Sequence, residues 1–332
     1  RWGSPDDVEA TKLVFRKGDI IFGRRRAYQR KLGVAEFDGI CSAHAMVLRA
    51  KPDVVLPEFL PFFMQSDVFM NRAVEISVGS LSPTINWRTL ATQLFWLPQL
   101  KQQQDVVSVL AALDEQIEAI RATQASTIRL RKSVALDAFS KIACPKLRMG
   151  DVSEIRNGTT PRRARDEYWK GSIPWLPTGK VNERLIEEAD EFITQKALQE
   201  CSLTLIPAFS TLVAMIGEGQ TRGRAAILAM DACINQNFGA VIPGARLDPW
   251  YLFYLLDSSY EALRHWSQGT NQHALSCGLL KEFPIPVPDL DRQRQIVDSI
   301  KAVEAVEKHL VARIEKVLEL RRVSHQATLS LG

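Results

Sequence analysis

From residue 106 the apolar positions fall at Val106, Leu110, Leu113, Ile117 and Ile120, spaced by four, three, four and three residues. That is a heptad seam, the pattern of a helix that buries one narrow stripe. It returns at Ile296, Ile300, Val303, Val306, Leu310, Ile314 and Val317, with Glu, Lys and Arg between. Each predicted helix continues for roughly forty residues, about 60 Å at 1.5 Å per residue. Neither contains Pro or Gly, and a helix this long must bury its stripe against another long helix. The natural partner is the other copy. Pro98 and Pro288 mark the two starts, and Cys144-Pro145 ends the first helix.

The rest of the pattern is mixed. Thr211 to Ile216 and Ala225 to Leu228 are short β-rich runs between Gly-containing turns, whereas Trp250 to Leu263 has helical spacing. An internal repeat organises the whole. Gly79-Ser80-Leu81-Ser82-Pro83-Thr84-Ile85-Asn86, then Leu90, Leu97-Pro98-Gln99-Leu100 and Gln103, recurs as Gly269-Thr270 through Ser276, then Leu280, Val287-Pro288-Asp289-Leu290 and Gln293. Gly79 and Gly269, Leu90 and Leu280, Pro98 and Pro288, and Gln103 and Gln293 are all equally far apart, so that stretch aligns without a gap. Upstream the match loosens: Leu56-Pro57 to Phe63 answers Leu247-Asp248-Pro249 to Tyr254, and Lys17 to Ile21 takes the place of Phe209 to Val213. The expected fold class is α+β, with an internal duplication and two long helices forming an antiparallel coiled coil. Its order is globule (1–98), helix (99–144), globule (145–288), helix (289–332).

Composition narrows the classes. The 332 residues are 46% hydrophobic and 24% charged, enough to bury ordinary cores in two or three domains. Forty-two Lys and Arg against thirty-eight Asp and Glu give +4, which suits a nucleic-acid partner only where the positive charges cluster. The five cysteines are scattered, and even the nearest two, Cys201 and Cys233, are far apart in the chain. Neither a zinc spacing nor a disulfide framework is indicated, and a reducing cytoplasm fits. No apolar run approaches the roughly 18 residues of a membrane span, and no membrane role is expected. The start at Arg1, without a methionine or a first strand, leads to the expectation of an N-terminal truncation.

Motifs for chemistry are missing: no phosphate loop, dinucleotide fingerprint, zinc-protease or nucleophile-elbow motif, no Asn-Pro-Pro-[Phe/Tyr] or Asp-Pro-Pro-[Phe/Tyr] of DNA amino-methyltransferases, and no Asp-x-Lys or Glu-x-Lys of nucleases. No metal site is expected, and the dispersed histidines read as ordinary core or surface residues. Binding features are richer. Arg24, Arg25 and Arg26, with Tyr28, Arg30 and Lys31, place five positive charges within eight residues after a predicted strand, which suits phosphate contact as well as it suits a solvated loop. Thr159, Thr160, Arg162 and Arg163 combine hydroxyls and guanidinium groups in a turn, as do Gln220, Thr221, Arg222 and Arg224; such side chains have the vocabulary of base readout, though the second run could equally be a plain hairpin connection. Lys180, Asn235 and Asn271 complete the candidate DNA contacts. Loop positions that diverge while scaffold positions match are what two readers of different half-sites require; drift on exposed loops is the plainer alternative.

Taken together, Pro-x-Leu-x-x-Gln followed by Val-Val or Ile-Val and a long heptad helix, duplicated at that constant separation, resembles the specificity subunit of type I restriction-modification enzymes. Leu113-Asp114-Glu115-Gln116-Ile117 and Ile285-Pro286-Val287-Pro288 carry the resemblance further. Leu147 to Val152, Asn157 to Pro161 and Ile173-Pro174-Trp175-Leu176 resemble the opening of a target-recognition domain. The resemblance implies a non-catalytic chain whose two target-recognition domains each read half of a bipartite duplex DNA target, with the paired helices setting the gap. It also implies no cofactor in this chain: methylation subunits would bring S-adenosylmethionine, and restriction subunits the ATP and Mg2+ of translocation and cleavage. Leu147 projects, at the same separation, to a place well ahead of Arg1, so the first domain is expected to lack its first third. Two rival readings are the recognition portion of a fused methyltransferase-nuclease, and a non-DNA coiled-coil scaffold.

Overall fold

The structure, a computed structural model, describes residues 12–217, 219–266 and 274–329, with side chains to 326. The chain forms two compact units, and each takes part of both long helices: 1–124 with 309–332, and 125–308.

In the first unit β2 (Ile20–Gly23) is flanked by β3 (Leu32–Val34) and β5 (Ala45–Leu48) in an antiparallel sheet, and β1 (Leu13–Phe15) pairs with β4 (Gly39–Cys41). Helices α1 (Phe59–Gln65), α2 (Asp67–Glu75) and α3 (Trp87–Ala91) follow. Ser66 caps α2 and Asn86 caps α3, each side chain accepting a hydrogen bond from a backbone N–H of the first turn. Phe22, Phe59, Phe63, Met64, Phe69 and Ile85 form the core.

The long helix α4 runs Leu100–Ser140, starting just after Pro98 and ending before Cys144-Pro145. The second unit then holds β6 (Lys146–Arg148), β7 (Ser153–Asn157), β8 (Trp169–Leu176), β9 (Leu185–Ile186), β10 (Glu191–Ile193), α5 (Gln195–Glu200), β11 (Thr211–Ala214), β12 (Ala225–Leu228), β13 (Cys233–Ile234), β14 (Phe238–Pro243), α6 (Pro249–Ser258), α7 (Tyr260–Trp266), α8 (Cys277–Glu282) and β15 (Pro284–Pro286); α9 spans Leu290–Leu329. The main sheet has the order β7-β14-β11-β12-β9, a second sheet β10-β8-β13, and β15 pairs with β6. Helix α6 buries Tyr251 through Leu256 in a core shared with Ile296, Val297 and Ile300 of α9 and Ala135 of α4.

The duplication holds in the strand registers. Ile20 opposite Leu48 and Phe22 opposite Met46 in the first unit become Leu212 opposite Ala240 and Ala214 opposite Phe238 in the second, all four positions shifted by one common offset. Ile20 opposite Val34 pairs as Leu212 opposite Ala226 does. The recurring glutamine has the same role in both units. Gln103 is fully buried: its Oε1 accepts from Leu56 N at 2.8 Å, and its Nε2 donates to Val54 O at 3.1 Å and Pro98 O at 2.8 Å. Gln293, equally buried, accepts from Asp248 N at 2.8 Å and donates to Arg246 O at 2.9 Å and Pro288 O at 2.8 Å. One amide thus satisfies three buried backbone groups and ties the start of each long helix to the loop ahead of α1 or α6.

The two long helices run antiparallel in each unit. In the first, Leu113, Ile117 and Ile120 of α4 pack with Leu310, Ile314 and Val317 of α9, and Arg321 pairs with Asp114 at 2.5 Å. In the second, Arg131 lies against Glu304 and Glu307, at 3.9 and 3.0 Å. The expectation that every heptad position faces the partner helix is corrected at several sites. Val106 and Leu110 belong to the core of the first globular part, Ile296 and Ile300 to that of the second, because a globule sits on each helix start. Val306 is 50% exposed, and Val303 is half-buried.

Candidate nucleic-acid interface

In the first unit the basic run forms a short loop after β2. A single 3-10 turn, Ala27–Gln29, lies between Arg26 and Arg30, both left-handed at φ 57° and 50°. Non-glycine residues hold that conformation only where the surroundings over-determine it. Here Arg26 N donates to Pro83 O at 2.7 Å, Arg30 N donates to Ala27 O at 2.8 Å, and Ala27 is buried. The Arg25 guanidinium reaches Ser82 Oγ at 3.1 Å and His44 Nε2 at 3.3 Å, so the 79–85 segment braces the loop. Arg30 pairs with Asp67 at 2.5 Å, and that cation holds the Asp67 carboxyl below its usual range. Arg26 and Lys31 are exposed, and Tyr28 is 56% exposed. Arg24 is half-buried, with its Nε enclosed and without a partner.

In the second unit four loops gather. Thr160 Oγ1 donates to Gln236 at 2.6 Å, Asn235 and Thr178 exchange hydrogen bonds at 2.8 and 3.0 Å, and Arg224 donates to Asn182 at 2.6 Å and to Gln220. The 3-10 segment Thr178–Glu183 thereby joins the 157–163 and 234–237 loops to the 217–224 loop. Gly158 is required: a Cβ there would run into the carbonyl of Ile234, which accepts from Thr159 N at 3.0 Å. Arg163 stacks over Trp169 with its guanidinium carbon 4.0 Å from the ring centre, and pairs with Glu191. Arg162 is exposed, as are Gln220 and Gln236; Thr221 and Thr159 are half-buried.

Three candidates are placed otherwise than expected. Lys180 is buried and paired with Glu183 at 2.7 Å and Asp190 at 3.1 Å, bonds that raise its pKa. Asn235 is buried in its exchange with Thr178, and Arg222 is 6% exposed. Lys180 is turned inward by its two carboxylate partners and Asn235 by Thr178, a residue distant in the chain. Asn271 lies outside the described residues. His44, Ser82, Thr178 and Asn182 went unselected in the sequence, since each gains its place through a partner distant in the chain.

Behind the 178–183 segment, Arg184 donates to Asp257 at 2.8 Å and Glu304 at 3.1 Å, and Tyr254 donates to Glu304 at 2.5 Å. Burial and that carboxylate push the Tyr254 phenol well above its usual range. The network anchors the segment to α6 and α9. Burial pushes the Cys233 thiol up to about 11, so it carries no thiolate. No group of three or more His, Cys, Asp or Glu suited to a metal exists among the described residues, and no described helix is long and apolar enough to cross a membrane.

Two α+β units on one duplicated scaffold, each packed on an antiparallel helix pair and each presenting polar loops at one register position, define a duplicated two-unit architecture. The profile of the type I restriction modification DNA specificity domain matches residues 8–128 and 145–320, and the chain belongs to that family. The specificity subunit of the EcoR124I/EcoR124II type I restriction enzyme of Escherichia coli is 25% identical over 184 residues, 54% of this chain and 45% of that one. The MjaIX specificity subunit of Methanocaldococcus jannaschii is 33% identical over 151 residues, 44% of this chain and 34% of that one. The chain therefore spans less than half the length of these relatives. Among solved structures, a chain from a study of type I R-M system assembly and conformational transition superposes with a TM-score of 0.67 at 21% identity, covering 95% of this chain and 82% of its own. The HsdS subunit of Thermoanaerobacter tengcongensis gives 0.54 at 22% identity over 96% and 80%. These likenesses establish the fold.

Proposed function

We propose that the chain is the sequence-reading subunit of a type I restriction-modification assembly, recognising a bipartite duplex DNA target without catalysing a reaction itself. The observation that carries this reading is the pairing of a fixed scaffold with divergent loops. Through the strands the two units keep one register, Ile20 answering Leu212, so the loop at 24–31 stands where 216–223 stands in the second unit. At those matched positions the side chains differ: Tyr28 stands against Gln220, and Lys31 against Gly223. A duplicated frame with unlike contact residues is what reading two different half-sites requires.

The exposed cations Arg26, Lys31 and Arg162 serve as phosphate and base contacts, Gln220 and Gln236 as amide readers, and the helix pair as the seat of the methylation and restriction subunits. Those partners hold the S-adenosylmethionine, ATP and Mg2+ chemistry. The domain reading follows the same lines: recognition domains at 1–98 and 145–288, spacer helices at 99–144 and 289–332. Mapping methylated adenines in the host genome with and without this gene tests the role: a split motif lost on deletion supports it. In solution, duplex binding falls about 10³-fold or more between about 50 and 200 mM salt for six or more phosphate contacts. Failure to bind duplex DNA with the methylation subunit present overturns the proposal.

A further inference from the structure

In the second unit the chain turns sharply between the 178–183 segment and β9. Arg184 makes that turn at φ 61° and ψ −46°, a backbone conformation that glycine adopts freely and that a side chain disfavours. Partners on both sides hold it there. Its carbonyl accepts from Ile227 N at 2.7 Å, which fixes the start of β9 beside β12, where Ile227 lies opposite Leu185. Its guanidinium donates to Asp257 of α6 at 2.8 Å and to Glu304 of α9 at 3.1 Å, and lies 5.3 Å from the ring centre of Phe253. Arg131 of α4 faces the same two carboxylates at 3.6 and 3.9 Å, so both guanidinium groups share those anions. Ahead of the turn, Thr178 exchanges hydrogen bonds with Asn235, and Asn182 accepts from Arg224, whose guanidinium also binds Gln220. A glycine would make this turn without strain and leave the segment free to pivot. The arginine makes it only because α6 and α9 clamp its side chain.

We propose that Arg184 is a positioning residue for base readout in the second unit. It touches neither base nor phosphate; it fixes the 178–183 segment, and through Thr178 and Asn182 the 234–237 and 217–224 loops, against α6 and α9. This role rests on the reading of the chain as a DNA-sequence reader. It gives the carboxylates Asp257 and Glu304 a share in selectivity, although they lie behind the loops. Loosening the clamp lets Thr178 and Asn182 shift against their partners. Hydrogen-bonded base readout tolerates little displacement, whereas attraction to the phosphate backbone is not sequence-dependent and survives it. The signature is therefore lost discrimination at one half-site with general duplex affinity kept.

The test takes the full chain with its methylation subunit through selection on randomised duplexes, then compares affinities for single-base changes in both selected half-sites. In the parent such changes weaken binding by about ten- to a hundredfold. Arg184→Gly relieves the backbone and removes the clamp. It is expected to bring the changes in one half-site to within about threefold, leaving the other half-site, the affinity for unrelated duplex and the salt slope as in the parent. Arg184→Lys, a point charge in place of a fork, is expected to fall between the two. Amide exchange at Lys180, whose N–H donates to Pro177 O, is expected to speed by at least about tenfold in Arg184→Gly, with exchange at Val213 of β11 unaltered. Arg131→Met is the control: it disturbs the same cluster from α4, and is expected to lower the unfolding midpoint while keeping discrimination within about twofold of the parent. Discrimination retained in both Arg184 variants overturns the proposal. So does equal loss at both half-sites, which makes the defect a general one, and so does a salt slope lower by about one, which makes Arg184 a phosphate contact. Loss in Arg131→Met as large as in Arg184→Gly overturns it as well, since stability of the cluster then accounts for both. A parent complex that selects no duplex overturns the DNA reading itself, and this role with it.

Discussion

Replacing Gln293 by methionine keeps the volume and removes the amide. Gln293 is fully buried, and its three hydrogen bonds at 2.8, 2.9 and 2.8 Å are made to Asp248 N, Arg246 O and Pro288 O. The substitution leaves one N–H and two carbonyls without that partner. Each lost bond costs about 1 kcal/mol net, and a buried donor or acceptor left unsatisfied costs about 1–3 kcal/mol. With some relief from water entry the sum is about 3–5 kcal/mol, a large share of the roughly 5–15 kcal/mol that holds a domain folded. Exchange at the Asp248 and α6 amides measures it directly: a loss of about 3 kcal/mol speeds exchange through opening by about a hundredfold. Asp248 also caps α6 through Trp250 N and Tyr251 N, so the effect spreads into that helix. Gln103→Met is expected to do the same ahead of α1. Gln293→Glu at neutral pH is expected to be worse than methionine, because a carboxylate would then face two carbonyl oxygens, and acidification is expected to narrow the difference. A loss below about 1 kcal/mol in both methionine variants refutes the assignment of these glutamines as backbone pins.

Other outcomes follow from the same structure. Ile117→Ala in the helix seam, at 4% exposure, is expected to cost about 2–4 kcal/mol in urea unfolding, whereas Val306→Ala, half exposed, costs below about 0.5 kcal/mol. Arg162→Ala is expected to lower duplex affinity and reduce the salt slope by about one, while Lys180→Met leaves the slope unchanged and destabilises the second unit. Asp19 is buried and accepts from Arg49 at 2.5 and 2.7 Å, which holds its carboxyl below the usual range. The stabilisation it gives is therefore present above about pH 4 and lost as pH falls below it. Asp19→Asn is expected to unfold more readily than the parent at pH 7, with the gap closing as the pH falls below about 4 in acid titrations.

The long helices were legible because a heptad is a local code: Leu113, Ile117 and Ile120 declare their face by spacing alone, and Pro98 and Pro288 declare the starts. The duplication was legible too: the sequence match of Lys17 to Ile21 with Phe209 to Val213 sets Ile20 against Leu212, the correspondence that the strand registers show, although that separation is slightly longer than the one between Gln103 and Gln293. The candidate interface was read less well. The basic run at 24–31 and the 157–163 loop stand on the surface as their composition indicates, but Lys180, Arg222 and Asn235 carry the same polar side chains and are buried. Nothing local separates a lysine that meets solvent from one enclosed by Glu183 and Asp190.

By itself the sequence determined the two helices, their seam, the repeated frame and the basic loops, since each depends on side-chain period or on residue type at short range. Tertiary structure decided the rest. It placed Val106, Leu110, Ile296 and Ile300 in globule cores although they share the seam's spacing, and it turned Gln103 and Gln293 inward to hold backbone far away in the chain. It also turned Asn235 away from solvent. The physical reason is common to all: burial and hydrogen-bond partnership are set by which distant segments arrive at a position, and periodicity carries no record of that.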